Sequence, residues 1–375
     1  MPQLSFHSMA GKTSMFIVDT DVHNYWSSAE VLLPYLEPYW RDFLMRGEKP
    51  GPRGSFPHGH RPWLHPEGFS RHDIRPETEE DNYLIMKERH LDLYDIDVAI
   101  LTADEPLEAS TLANYHYANA LVKAYNDYMI DWWLPKDSRF KGSIIISPTD
   151  PHGAAAEIRR LGRHKDIVQV LASHGSQRPY GDPFYNPIHE ACAEVGLPFA
   201  IHFGGQGGVN HNAVASGPTA YYWETHALLS QPAMTHVVSM ISNGVFEKYP
   251  DLYFVVIECG VSWVPSLMWR LDANFKALRK ETPWLKMLPS EYCRRNIRFS
   301  TQPLEQPQNV RHLWETLEHM DGQNTLLFAS DYPHWDFDAP TNLHIPSGWR
   351  DKIMGLNALE VYKRIEAPAA AVRVA

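Results

Sequence analysis

Residues 15–25 read Met15-Phe16-Ile17-Val18-Asp19-Thr20-Asp21-Val22-His23-Asn24-Tyr25. Met15–Val22 is short and apolar at its start, as a buried parallel strand is. The end of this strand distinguishes two folds. A doubly wound open sheet favours a glycine-rich phosphate turn after its first strand; residues 19–25 hold no glycine. Seven more runs of the same kind lie further along: Val98–Ala103, Gly142–Ser147, Ile167–Ala172, Phe199–Phe203, Leu252–Ile257, Ile297–Ser300 and Thr325–Ala329. Between them lie amphipathic patterns with three- and four-residue steps. Tyr115, Ala118, Val122, Tyr125, Met129 and Trp132 come after Ser110, a candidate cap. Val264, Leu267, Met268, Leu271, Phe275 and Leu278 make a second pattern. Val310, Leu313, Trp314, Leu317 and Met320 make a third, with Gly322 as its expected stop. Eight β units with helices between them predict an α/β chain folded as a (β/α)8 barrel, the TIM-barrel architecture.

Of 375 residues, 44% are hydrophobic and 21% charged, which excludes a disordered chain. The spacing predicts one barrel over residues 15–366, with an N-terminal extension at 1–14 and a flexible tail at 367–375. Insertions come after strand 1 (residues 26–77) and strand 5 (residues 204–224), at the face where barrel loops build active sites. The net charge of −11 argues against nucleic-acid binding, which needs basic patches. Arg159, Arg160, Arg163 and Lys165 read as a solvated helix face. Cys192, Cys259 and Cys293 are scattered, which fits a reducing compartment and no disulfide framework. No signal-peptide run opens the chain and no stretch nears the ~18 apolar residues of a membrane span. The expectation is a cytoplasmic protein with no membrane partner.

An inward strand position at the barrel mouth is apolar unless the site uses it. Strand 1 ends Asp21-Val22-His23, and alternation puts Asp21 and His23 on one face. Strand 5 ends in His202, strand 6 runs into Glu258, and strand 8 leads to Asp331. Two histidines and two aspartates at the ends of strands 1, 5 and 8 make a ring of ligands for Zn²⁺, Fe²⁺ or Mn²⁺. One ion is expected, with room for a second.

These stretches resemble the amidohydrolase-related family of metal-dependent barrels, in the branch of aminocarboxymuconate-semialdehyde decarboxylase and γ-resorcylate decarboxylase. The matching residues are Asp21-Val22-His23, Ala200-Ile201-His202, the run from Ser239 to Pro250, Ser330-Asp331-Tyr332-Pro333 and Asn357-Ala358. The resemblance implies that Asp21, His23, His202 and Asp331 bind the metal. Strand 4 has no lysine, so the carbamylated-lysine bridge of the wider superfamily is absent. The chain departs from the branch on strand 6, where Glu258 stands in the place of a histidine. Glu258 is expected as a general base or a further ligand. His226 and His334 raise the candidate ligands to seven. The chain is also similar to the 2-aminoisobutyrate hydroxylase subunits, which have an iron-containing dinuclear site and pair as unlike chains.

Weaker signals surround this set. Arg178 is a candidate for a substrate carboxylate, which guanidinium binds bidentately. Gln302 and Trp335 lie at the ends of strands 7 and 8, in reach of a small-molecule substrate. His58, His60 and His65 could line the mouth, and Gly204–Gly208 suggests close backbone approach. The leading expectation is a hydrolase: the metal acidifies a bound water, Asp331 or Glu258 takes the proton, and His334 donates one. The alternatives are non-oxidative decarboxylation of an aromatic or unsaturated acid, oxygenation at two metals, and a structural subunit. Assembly is expected as a homo-oligomer or with a paralogue.

Overall fold

A computed structural model describes residues 15–26, 28–45, 78–204 and 221–367. The expectations on residues 1–14, on His58, His60 and His65, on Gly205–Gly208 and on residues 368–375 lie outside the described residues.

All eight expected strands form: β1 Val18–Val22, β2 Val98–Leu101, β3 Phe140–Ile145, β4 Ile167–Ser173, β5 Phe199–His202, β6 Phe254–Ile257, β7 Ile297–Ser300 and β8 Leu326–Leu327. They pair in parallel and in chain order. The segment after β8 closes the ring on β1. Thr20 N donates to the Phe328 carbonyl at 3.0 Å, His23 N donates to the Tyr332 carbonyl at 2.8 Å, and Val22 bridges Tyr332 in parallel. Closure leaves no open strand edge. Nearly every strand position is buried, which is why the strands read as continuous apolar runs. The fold is a (β/α)8 barrel.

Three local readings change. The helix Tyr115–Tyr128 is capped by Asn114, whose side chain accepts from Tyr117 N, while Ser110 Oγ donates to the Leu107 carbonyl. After the helix Val310–Glu318, Asp321 takes the left-handed region (φ 61°), and Gly322 opens the next turn. An aspartate tolerates that conformation because its short polar side chain bonds locally; Asn324 Nδ2 donates to both its oxygens. Of the six apolar positions on Trp263–Leu278, only Val264 and Met268 are buried, and Leu278 is 53% exposed. The described part of the first insertion is helical, at Ala29–Tyr35 and Pro38–Met45. Trp40 and Phe43 there pack on Tyr117.

The C-terminal segment seals the N-terminal end of the barrel. Arg364 donates to the carbonyls of Gly162, His164, Ile167 and Val195. Tyr362 donates to Gln169, which donates to Ser143 inside the barrel. The opposite end, where the strands finish, is left to the loops. Among the described residues, no helix is long and apolar enough to cross a membrane.

Candidate metal centre

The polar strand ends meet at one point. Asp21, His23, His202 and Asp331 are all buried, and one ligand atom of each lies within 4.8 Å of the others. Strand geometry explains the first pair: Asp21 and His23 are two residues apart, so both face inward. Backbone carbonyls then orient the imidazoles. His23 Nδ1 donates to Ala103 O, and His202 Nδ1 donates to Phe203 O at 2.5 Å. Each ring therefore turns the lone pair of Nε2 inward. His23 Nε2 lies 2.9 Å from Asp331 Oδ1, and His202 Nε2 lies 3.3 Å from Asp21 Oδ2. A nitrogen lone pair facing a carboxylate oxygen is repulsive unless a cation sits between them. His23 Nε2 and Asp331 Oδ2 are buried with no hydrogen-bond partner among the described residues. Both observations fit a divalent ion. Thr102 Oγ1 donates to Asp21 Oδ1 at 2.7 Å and holds that carboxylate in place.

The acids come from backbone turns that periodicity does not describe. Glu258 succeeds β6 with φ 54°, Asp331 succeeds β8 with φ 58°, and Ala103 succeeds β2 with φ 63°. Non-glycine residues in this region cost about 1–3 kcal/mol each and persist where the surroundings hold them. Ser300 Oγ accepts from Glu258 N, and the Asp21 carbonyl accepts from Asp331 N. Glu258 Oε2 stands 3.4 Å from His202 Nε2, and Oε1 stands 3.9 Å from His226 Nε2. His334 Nδ1 lies 2.6 Å from Asp331 Oδ1. A second compact set, His23, Glu258, Asp331 and His334, shares two residues with the first.

Crowded carboxylates dominate the electrostatics. Burial pushes the Glu258 carboxyl well up, and the charges of Asp336, Asp21 and Asp104 add to it. Burial does the same to Asp331, reinforced by Glu258, Asp336, Asp21 and Asp104. Burial also works against the Asp21 carboxylate, but His202, His23 and the Thr102 hydroxyl outweigh it and hold it below its ordinary range. Burial lowers His23 to about 4 despite the pull of Asp21, so its ring is neutral, the form that binds metal.

The structure brings Gln302 and His226 to the rim of this centre through Asp336. Gln302 is fully buried and its Nε2 donates to Asp336 Oδ2 at 2.9 Å; His226 Nε2 lies 3.1 Å from the same oxygen. Trp335 is half exposed, its ring 5.3 Å from that of His226. Arg178 is not gathered in. Its side chain is 55% exposed, 3.5 Å from Asp182 and over the Phe184 ring. A short local partner and solvent serve a surface guanidinium better than a desolvated site.

Four participants escape the sequence reading. Thr102 and Asp104 sit at the end of β2, where the strand-end rule applied to Asp21 and His202 would have found them. Asp336 comes after Trp335 in the segment beyond β8. Asp19 lies one inward position before Asp21 and accepts from Ser330 N at 2.9 Å, Ser330 Oγ at 2.5 Å and His90 Nε2 at 2.8 Å. It thus fixes the residue preceding Asp331. Asp19→Asn is expected to weaken manganese binding about 10–100-fold, as outer partners of metal ligands do. Competitive titration against a chelating dye measures this; unchanged affinity would mean that Asp331 is held by other contacts.

Beyond the centre, burial and the Asp336 charge push the Asp338 carboxyl up to about 6, against a bond from Leu304 N. A carboxyl raised on folding costs nothing below about pH 4, costs progressively more up to pH 6, and carries the full cost above it. Asp338→Asn is therefore expected to stabilise the metal-free protein by about 2 kcal/mol at pH 7.5 and by nothing at pH 4. Urea unfolding at the two pH values tests this; an equal effect at both would contradict it.

Known proteins share this fold and parts of this sequence. γ-Resorcylate decarboxylase of Polaromonas sp. strain JS666 is 25% identical over 301 residues, covering 73% of this chain and 86% of that protein. The crystal structure of 5-carboxyvanillate decarboxylase from Sphingomonas paucimobilis superposes with a TM-score of 0.63 at 21% identity, covering 93% of this chain and 99% of that one. Dihydroxybenzoic acid decarboxylase from Polaromonas sp. JS666, solved with manganese and the inhibitor 2-nitroresorcinol, has a TM-score of 0.60 at 22% identity, covering 75% and 86%. These names correct the hydrolase expectation. The curated relatives are decarboxylases, and a metal ring that polarises a scissile carbonyl binds a substrate carboxylate equally well, so the ligands alone never separated the two reactions. The family profile described as amidohydrolase matches residues 18–364, and the chain belongs to that family.

Proposed function

We propose that this protein is a metal-dependent, non-oxidative decarboxylase of an aromatic acid, built on one barrel over residues 15–366. The observation that carries the reading is the buried ring of Asp21, His23, His202 and Asp331, seen in a chain whose curated relatives are decarboxylases. A divalent ion held there would supply Lewis acidity toward the substrate carboxylate. Manganese is bound in a structure of similar fold, and this donor set also accepts zinc or iron.

The chain's own residues supply the rest. Backbone carbonyls that accept from Nδ1 orient His23 and His202 so that Nε2 of each faces the centre. His334 orients the Asp331 carboxylate through its 2.6 Å contact. Glu258, a buried carboxyl with a raised pKa, holds a proton for the ring carbon. The bond from that carbon to the carboxylate breaks, its electron pair stays on the ring, and carbon dioxide leaves.

The manganese-loaded protein tests this with 2,6-dihydroxybenzoate and 5-carboxyvanillate, read as carbon dioxide release. Absence of turnover across such a panel, with metal retained, would overturn the reading. The second compact set favours a companion reading in which Glu258 and His334 help to bind a second ion; elemental analysis counting one or two ions per chain decides it. A reducing, cytoplasmic setting is supported by three free, buried cysteines. Assembly with a like or paralogous chain is supported by Trp269 and Leu278, half exposed on one helix, and light scattering measures it.

A further inference from the structure

Asp336 makes two contacts from one oxygen, and each constrains the outer half of the site. Its Oδ2 receives Gln302 Nε2 at 2.9 Å and lies 3.1 Å from His226 Nε2. Its main-chain carbonyl also lies 3.3 Å from Gln302 Nε2. Carboxylate and carbonyl oxygens only accept, so the nitrogen of the Gln302 amide must face Asp336. The other end of the amide is then determined. Gln302 Oε1 is buried and has no hydrogen-bond partner among the described residues. An unmet acceptor in a dry site costs about 1–3 kcal/mol, and a ligand that brings a donor recovers this. The neighbouring Asp336 carboxylate, which holds the amide nitrogen, leaves the oxygen end of Gln302 as the one turned away from it.

We propose that Gln302, locked by Asp336, is the acceptor for a hydroxyl or amino hydrogen of the substrate. This rests on the aromatic-acid reading and adds a specificity-determining residue, Gln302, and a positioning residue, Asp336. A site built to receive a hydrogen bond rejects an analogue that lacks the donor, because its own polar group stays unpaired.

Two inert probes separate the claims. 2-Nitroresorcinol and 2-nitrophenol share a nitro group and one phenolic oxygen, and differ by one ring hydroxyl. Their binding to the manganese-loaded protein is monitored by the absorbance of the nitrophenol. The wild type is expected to bind 2-nitroresorcinol about tenfold more tightly. Gln302→Leu should bring that ratio to about one while 2-nitrophenol binding stays near the wild-type value. Asp336→Asn, whose amide can donate as well as accept, should reduce the ratio by freeing Gln302 to turn. Metal content and the thermal midpoint confirm that each variant is folded and loaded. If either variant fails that check, the ratio in the other decides. A wild-type ratio near one, or a ratio unchanged in a loaded variant, overturns the subsite and leaves the decarboxylase reading intact. If the loaded wild type binds neither probe, both fall.

Discussion

Glu258→Gln is expected to lower the rate of carbon dioxide release by about 10²–10⁴-fold, the range for loss of a positioned acid or base, with manganese content unchanged. The amide keeps the shape of the side chain and its place beside His202, 3.4 Å from Nε2, but has no acidic proton. Glu258 occupies the left-handed turn after β6, and burial, with the charges of Asp336, Asp21 and Asp104, pushes its carboxyl well above the usual carboxylate range. The measurement is kcat with metal content from the same sample. A fall in rate matched by loss of one metal ion would make Glu258 a ligand. An unchanged rate with full metal would remove it from the proton path.

Stripping the metal is expected to abolish turnover and lower stability. An ion present at a thousand times its dissociation constant stabilises the folded state by about 4 kcal/mol. Scanning calorimetry with and without a chelator reads this, and manganese alone should restore both midpoint and activity. The effect carries a pH dependence of known sign. Burial and the charges of Asp336, Asp21 and Asp104 raise both Glu258 and Asp331, and Glu258 adds to the effect on Asp331, so the metal-free protein favours their protonated forms. Cation binding displaces those protons, and the affinity rises with pH. An identical midpoint with and without metal at pH 7.5 would refute a structural contribution from the centre. An affinity that falls as the pH rises would contradict the protonated carboxyls.

Much of this could be read in the chain before folding. Parallel strands covered on both faces must be apolar throughout, so eight short Ile-, Val-, Leu- and Phe-rich runs pointed to eight strands, and all eight form. Polar residues at the ends of such runs are costly unless paired, which singled out Asp21, His23, His202, Glu258 and Asp331. Helix limits were less legible, because the cap at Asn114 depends on one side-chain bond and the stop at Asp321 on a left-handed backbone, neither of which follows a period.

The arrangement around the ligands belonged to the tertiary structure. Thr102, Asp104 and Asp336 lie 81, 83 and 315 residues from Asp21 in the chain, and only the folded barrel brings them to one mouth, whereas Asp19 shares its strand. Arg178 went elsewhere because a nearby aspartate and solvent satisfied it. Local periodicity thus determined the barrel and the type of its candidate metal ligands. Three-dimensional proximity decided which nitrogen faces inward, which carboxyls are pushed upward and which amide oxygen is left without a partner among the described residues, because hydrogen bonding and charge repulsion act through space and not along the chain.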